Sequence, residues 1–359
     1  MINVCLVSPL PPPIGGIALW TSNIINYQQK DVNFFVLNTN VDNHPAKKRT
    51  FFDRFVKNGF KMLNIRRQLK RVVKENKIDC VHICTSGSFG FIRDKYLISF
   101  CKKKNIKVVL HLHFGRMNLV LKQNSWESKL FLKVSKRVSE IICMDSNTYK
   151  CLSNNKSIKN KVVYVPNPIA YKTDYIKQEE KQKKIIYVGW VIKSKGIEEL
   201  ITAWNIAGNK YKDWSLEIIG ACDKNYKQEL DRMIKTSNIR FLGEKQHNDC
   251  LQAIRESSIL VLPSYTEGFP NVILEAMMSS TPIIATNVGE IPSILSCNSG
   301  IIINQHSSEE IIKSLENLIC DQYLREQLAI NAYRRVNENY TIQKVFSLLL
   351  KEWETKKWG

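Results

Sequence analysis

Long apolar runs are missing from this 359-residue sequence: none approaches the roughly 18 uninterrupted apolar residues of a membrane-spanning helix, and runs such as 259–262 stop within strand length. The opening residues, MINVCLVSPL, go straight into an apolar β-like run without the basic region, long apolar core and cleavage site of a secretory signal. A cytoplasmic location is therefore expected. The ten cysteines contain no C-x-x-C pair, and Cys80 and Cys84 have no matching second pair, so they read as reduced core thiols rather than a zinc site or disulfide framework. No Asp-x-Asp pair of the kind that carries a divalent cation beneath a diphosphate is present, nor a His/Cys cluster with ligand spacing. Neither a metal nor a bound cofactor is expected. The first strand-loop lacks G-x-G-x-x-G and the acid expected about 20 residues on, which disfavours a dinucleotide-dependent oxidoreductase.

Acidic residues are scarce too: 33 Asp and Glu stand against 53 Lys and Arg, a formal charge of +20. The excess lies toward the N-terminal half, where residues 41–110 hold eighteen Lys/Arg and five Asp/Glu. Without a zinc finger or an aromatic RNA-binding signature, this charge is not assigned to nucleic acid. Residues 51–62, FFDRFVKNGFKM, interleave aromatics with cations and continue to Arg66, Arg67, Lys70, Arg71 and Lys74. That pattern suits an anionic membrane surface; the alternative is an amphipathic helix packed on a sheet with its lysines in solvent.

At 44% hydrophobic and 24% charged, the sequence has the balance of a folded protein long enough for two domains. Short apolar strand-like runs at 3–7, 34–37, 80–84, 107–113, 140–144 and 162–165 alternate with longer helical stretches, as parallel sheets covered by helices require. The series pauses at Pro166-Asn167-Pro168 and a charged stretch, then restarts at 185–188, 215–219, 239–242, 259–262, 282–285 and 300–303. The expected division is an N-terminal domain over 1–168, a linker over 169–184, a second domain over 185–340 and a C-terminal helix over 341–359.

The most informative segment is PSYTEGFPNVILEAM, residues 263–277. It leaves a buried strand, turns through Gly268 and Pro270, and enters a helix that Asn271 is placed to cap. In open α/β sheets, ligands bind beyond the carboxyl ends of strands, where a helix N-terminus favours a phosphate. Glu267 lies in the loop and Glu275 about one turn inside the helix, so both carboxylates can accept hydrogen bonds from the hydroxyls of one ligand.

The segment EGFPNVILEAM resembles the E-x7-E signature of the retaining family 4 glycosyltransferases of the GT-B fold. The resemblance extends to Pro12-Pro13-Ile14-Gly15-Gly16, to Val165-Pro166-Asn167-Pro168, to Tyr187-Val188-Gly189 with Lys195-Gly196, and to Thr286-Asn287-Val288-Gly289-Glu290-Ile291-Pro292. It implies an α/β fold of two Rossmann-like domains facing across a deep cleft, with the C-terminal helix crossing back to the first. It further implies that Glu275 holds the ribose of the nucleotide and Glu267 the donated sugar, with backbone amides near Gly268, Phe269, Asn271 and Val272 reaching sugar or diphosphate. Lys195 would contact the diphosphate, and Gly15 and Gly16 would let the first domain approach it. His113 matches a histidine beside the sugar; His111 shares its face, and His113 is preferred because it is nearer the strand's carboxyl end. After Gly189, where the family usually has an arginine, stands Trp190. Either Lys193 replaces that arginine or Trp190 packs on nucleotide or acceptor. Thr281 replaces a common glycine.

The expectation is a retaining, metal-independent transferase using a UDP-sugar first and a GDP-sugar second. Its acceptor would be a saccharide or polyprenyl-diphosphate-linked saccharide at the inner face of the cytoplasmic membrane, in capsule, O-antigen or exopolysaccharide assembly. The alternative, which Trp190 keeps open, is a degenerate GT-B protein that binds nucleotide or scaffolds an assembly without transferring sugar.

Overall fold

The computed structural model describes residues 1–12, 15–27, 30–40, 51–123 and 125–354, with the side chains of 51–61 outside the description. The chain forms two compact units, Met1–Ala170 with Ile342–Gly359, and Tyr171–Thr341. The first unit carries strands β1 (Ile2–Ser8), β2 (Val32–Asn38), β3 (Cys80–Thr85), β4 (Lys107–Leu112), β5 (Glu140–Cys143) and β6 (Val162–Tyr164). Its helices are α1 (Gly16–Asn26), α2 (Phe51–Glu75), α3 (Gly90–Lys103), α4 (Met117–Lys122), α5 (Trp126–Ser135) and α6 (Ser146–Ser153). The second carries β7 (Gln182–Val188), β8 (Ser215–Ile219), β9 (Ile239–Gly243), β10 (Ser257–Leu262), β11 (Ile283–Thr286) and β12 (Ile301–Ile303). Its helices are α7 (Ile197–Lys210), α8 (Lys224–Met233), α9 (His247–Glu256), α10 (Asn271–Met278), α11 (Ile291–Ile294), α12 (Ser308–Cys320) and α13 (Gln322–Asn339). The final helix, α14 (Ile342–Glu354), belongs to the first unit.

The first sheet is parallel, in the order β2-β1-β3-β4-β5-β6. Both of its faces are covered, so β3 and β4 are buried along their length and alternate residues enter different cores. Val81 and Ile83 join the core that includes Ile65 and Leu69 of α2 and Phe91 of α3. Cys80 and Cys84 face the other core, which Trp20 and Ile24 of α1 share with Ile342, Val345, Phe346, Leu349 and Trp353 of α14. That last set is spaced i, i+3, i+4, i+7 and i+11, one apolar stripe of a helix. The order reverses between β1 and β3, so the loops after these two strands splay apart and leave a crevice at their carboxyl ends.

The second sheet is parallel in the order β12-β11-β10-β7-β8-β9, whose reversal point lies between β7 and β10. β7 begins at Gln182, three residues before the apolar run that announces it, because Gln182 and Lys183 are exposed and carry no hydrophobic signal. The polar stretch before β7 is fastened to its own unit: Thr173 Oγ1 donates to Met278 O at 2.6 Å, and Gln178 Nε2 to Ser280 O at 2.7 Å. Thr281 has a structural reason. Its buried hydroxyl accepts from Lys181 Nζ at 2.9 Å and donates to Ile254 O at 2.8 Å, helping to hold an ammonium that burial pulls down to about 7.

Candidate active site

In the second unit, the loops after β7 and β10 flank the reversal point and are stitched together, with Tyr265 N donating to Ser194 O at 2.9 Å. Gly196 adopts φ +67°, and a Cβ there would stand 2.1 Å from Pro263 O, so the turn that delivers Lys195 requires glycine. Gly289 supports the other side: at φ +56°, a Cβ would lie 2.3 Å from Glu267 O, and the next residue, Glu290, donates its N–H to Gly268 O at 3.0 Å. These approaches place Lys195 Nζ 2.6 Å from Glu267 Oε1, which also accepts from Ser264 Oγ at 2.7 Å. Ser264 stands three residues before Glu267, but sequence reasoning did not select it because a serine at a strand end has no distinctive pattern.

Helix α10 begins at Asn271 itself, and Pro270, extended at φ −77° and ψ 107°, holds the cap position without a side-chain hydrogen bond. The expected Asn271 cap is therefore corrected by one residue, because the proline's ring-fixed φ and extended ψ already end the loop. Asn271 and Val272 lie in the first turn, whose amides lack intrahelical acceptors. Phe269 is buried with its ring 6.1 Å from that of Tyr340.

Glu275, in the fifth position of α10, is 7% exposed, and its carboxylate accepts no hydrogen bond from another described residue. Burial raises its pKa to about 7. The nearest cation candidate, His247 Nε2, is 3.7 Å from Oε1, but burial lowers the histidine's own pKa, so the pair is not a fixed ion pair. Burial, then the charge of Glu275, push the phenol of Tyr171 up. A buried carboxylate without donors is costly to keep, and such groups gather at functional sites.

Gly189 follows β7 with its N–H on Ile219 O at 3.0 Å. Trp190 projects into solvent at 68% exposure, while its carbonyl accepts from Tyr187 Oη at 2.8 Å. Lys193 is also exposed, 3.3 Å from Glu229 and 5.7 Å from the centre of the Tyr226 ring.

In the first unit, Gly15 caps α1 at φ −146° and ψ 166°, ordinary extended backbone. A Cβ on Gly15 or Gly16 would meet nothing within 4 Å among the described residues, and the extended backbone of Gly15 is open to any residue, so the fold itself does not demand glycine at either position. Pro13 and Ile14 of the same motif lie outside the described residues.

His113 sits just past β4, its N–H donating to Thr85 O at 2.9 Å. It is half-buried and its Nε2 has no partner among the described residues, whereas His111 is wholly buried. Their rings are 3.9 Å apart, and the edge of Trp20 meets both. Burial holds His113 near 3, so its imidazole is neutral at physiological pH. Sequence reasoning missed the relay behind it. Trp353 Nε1–H donates to His82 Nδ1 at 3.0 Å, and His82 Nε2 is 3.3 Å from His111 Nδ1. Indole only donates, so a neutral His82 carries its proton on Nε2 and donates that N–H to His111 Nδ1 in a hydrogen bond. His82, Cys84 and His111 offer metal-ligand atoms within 4.8 Å of one another, an assembly that strand pairing rather than sequence spacing creates. The relay occupies one imidazole lone pair on each of His82 and His111, and burial raises the Cys84 thiol to about 12, so the cluster's bonding is that of a hydrogen-bond chain.

Residues 62–75 of α2 bury Ile65 and Leu69 and expose Arg67, Lys70, Arg71 and Lys74. The aromatic-basic segment 51–61, expected to meet a membrane, lies outside the described side chains. No helix among the described residues is long and apolar enough to cross a membrane.

Two parallel sheets, with charged loops at the reversal point of the second, define the GT-B class of glycosyltransferase. The solved structure of Anabaena HepE, crystallised with UDP, superposes with a TM-score of 0.75 at 15% identity over 98% of this chain and 99% of that one. Residues 14–172 match the family described as Glycosyltransferase Family 4, and residues 172–335 match Glycosyl transferases group 1. The chain belongs to this family of glycosyltransferases. The capsular polysaccharide biosynthesis glycosyltransferase CapM of Staphylococcus aureus is 29% identical over 60% of this chain and 63% of its own length, just under two thirds. An uncharacterized glycosyltransferase of Methanocaldococcus jannaschii is 28% identical over 92% of both chains.

Proposed function

We propose that the chain is a retaining, metal-independent glycosyltransferase that moves a hexose or N-acetylhexosamine from a nucleotide diphosphate sugar to a lipid-linked saccharide acceptor during surface polysaccharide synthesis. The observation that carries this reading is the contrast between two carboxylates on one helix-loop: Glu267 is held by Lys195 and Ser264, while buried Glu275 has no donor among the described residues. A ribose supplies the two hydroxyl donors that Glu275 lacks. Glu267 takes hydroxyls of the sugar, and Lys195 with the first-turn amides of α10 takes the diphosphate. As the bond from the sugar's anomeric carbon to the leaving phosphate oxygen breaks, negative charge grows on that oxygen, and a fixed ammonium stabilises it more than the ground state. The acceptor oxygen bonds to the anomeric carbon on the same face, and its proton passes to the leaving phosphate. Neutral His113 contributes a hydrogen bond to the sugar rather than a charge. UDP is the preferred nucleotide, supported by the UDP bound to Anabaena HepE, with GDP second; the name of the staphylococcal relative supports a capsule-type product. The acceptor's lipid suits the basic sequence of residues 51–74.

The test is to incubate the chain with UDP- and GDP-sugars and membrane lipid extract, with and without EDTA, following nucleotide release and the anomer formed by NMR. Release that persists in EDTA, with retained configuration and loss in Glu267→Ala, is the expected result. Inversion, or a strict need for a divalent ion, contradicts the proposal.

A further inference from the structure

The first unit carries a second feature that neither the reaction nor the α2 segment accounts for. Residue 89 opens α3 and residue 126 opens α5, and both are aromatics held in solvent: Phe89 is 67% and Trp126 52% exposed, with ring centres 5.3 Å apart. Exposed Ile92 and Tyr96 continue the stripe, since Phe89, Ile92 and Tyr96 follow the i, i+3, i+7 spacing of one helix face. An apolar stripe of this spacing normally points inward; here it points out.

The loop that displays Phe89 is fixed. Gly87 and Ser88 take φ +80° and +50°, the second an uncommon conformation for a non-glycine residue. Glu127 clamps it, its Oε1 accepting from Ser88 N at 2.6 Å, while Arg116 grips both carboxylate oxygens at 2.7 and 2.9 Å. Backbone held in a sparsely populated region by surrounding bonds is a mark of functional loops. The exposure of Phe89 beside Trp126 is thus built in.

The charge around the stripe is of one sign. Between residues 80 and 139 the chain has twelve Lys and Arg and two carboxylates, Asp94 and Glu127. Both carboxylates are buried and ion-paired, with Arg93 and Arg116. Lys129 and Lys133 share the exposed face of α5 with Trp126, and the ammonium of Lys95 sits 5.7 Å from the centre of the Tyr96 ring. Aromatic and aliphatic tips beside lysines, with both nearby carboxylates buried in ion pairs, match an anionic lipid bilayer, with rings entering the headgroup region and lysines meeting lipid phosphates. A second copy of this chain fits poorly, because a twofold contact would bring the same lysines face to face.

We infer that Phe89, Ile92, Tyr96 and Trp126 form a docking surface for an anionic membrane, separate from the basic segment 51–74. The loop carrying it follows Thr85, whose carbonyl accepts the N–H of His113, so the docking surface lies on a loop joined to the strand end that carries this histidine. This deepens the reading of a lipid-linked acceptor, but the surface is argued from its own residues and is tested without donor or acceptor.

The test is co-sedimentation of the full chain with vesicles of phosphatidylglycerol and phosphatidylcholine, and of phosphatidylcholine alone. Wild type is expected to bind the anionic vesicles, less as salt rises, and Phe89→Ala/Trp126→Ala to lower the partition constant by about tenfold or more. Circular dichroism and UDP binding serve as folding checks. A quadruple charge reversal at Arg67, Lys70, Arg71 and Lys74 separates the two surfaces. Loss in the quadruple variant with none in the aromatic variant overturns the inference, as does equal binding to neutral vesicles. Sedimentation velocity showing a dimer that the aromatic substitutions dissociate, without vesicle binding, overturns it in favour of self-association.

Discussion

Lys195 Nζ lies 2.6 Å from Glu267 Oε1, joining the loops after β7 and β10 across the reversal point of the second sheet. The two groups that the proposed reaction assigns to diphosphate and sugar therefore neutralise each other in the ligand-free chain. In the proposed reaction a diphosphate would compete with Glu267 for the ammonium, while sugar hydroxyls would take up the carboxylate.

The two substitutions separate accordingly. Lys195→Ala is expected to weaken binding of a nucleoside diphosphate by about tenfold or more, the scale of a lost charge-assisted hydrogen bond. Glu267→Ala frees the ammonium and should leave diphosphate affinity equal or tighter while abolishing transfer. Calorimetry on both variants with UDP, beside turnover of the UDP-sugar, checks this.

Glu275 links function to stability. Its pKa is about 7 folded against 4.5 as the ordinary value, so the folded chain holds the proton more tightly. The favourable contribution is then complete below about 4.5 and is lost as pH rises toward 7, by up to about 3 kcal/mol at 1.36 kcal/mol per pH unit. Glu275→Gln should raise the melting temperature at pH 8, with the gain fading toward pH 5, and should lose nucleotide binding. In wild type, affinity should fall below pH 7 as the carboxylate protonates. Thermal shift and calorimetry across this range read both effects.

The histidine relay makes a contrasting prediction. With His113 and His82 near 3, no histidine of the cluster titrates between pH 5 and 8, so the acid limb of the rate profile should follow Glu275 and persist in His113→Asn. Trp353→Phe removes the donor to His82 and should cost about 1–3 kcal/mol, the range for a buried acceptor left unpaired. Urea denaturation measures the second claim and a pH–rate profile the first.

Gly289→Ala should destabilise the second unit by roughly 1–3 kcal/mol and lower turnover together, since its Cβ would meet Glu267 O at 2.3 Å in a left-handed conformation. Gly15→Ala, with nothing within 4 Å of its Cβ, should leave stability near wild type. Any loss of donor affinity in that variant reports the space that a ligand uses.

The alternation of apolar runs with helical stretches revealed both parallel sheets, because inner strands such as β3, β4 and β10 are buried along their whole length and are therefore rich in apolar residues. The start of β7 was hidden by Gln182 and Lys183, which pair in the ladder while facing solvent. Glu267 and Glu275 were legible because one helix-loop carries both at a fixed spacing. Ser264 and the pairing with Lys195 were not, since they depend on two loops meeting across the sheet. The His82–His111–Trp353 chain was equally hidden: strand pairing and a helix 271 residues further along bring its members together. Trp190 was visible as a departure, but its exposure required the backbone.

The central claim is that the second unit binds a nucleoside diphosphate through Glu275 and Lys195. Its most direct test is calorimetric titration of UDP and GDP into wild type and Glu275→Ala at pH 8 without divalent metal. Binding of one nucleotide by wild type, UDP in preference, with loss in a Glu275→Ala variant that remains folded, is the predicted result. Binding of neither nucleotide, or equal binding by both proteins, contradicts it.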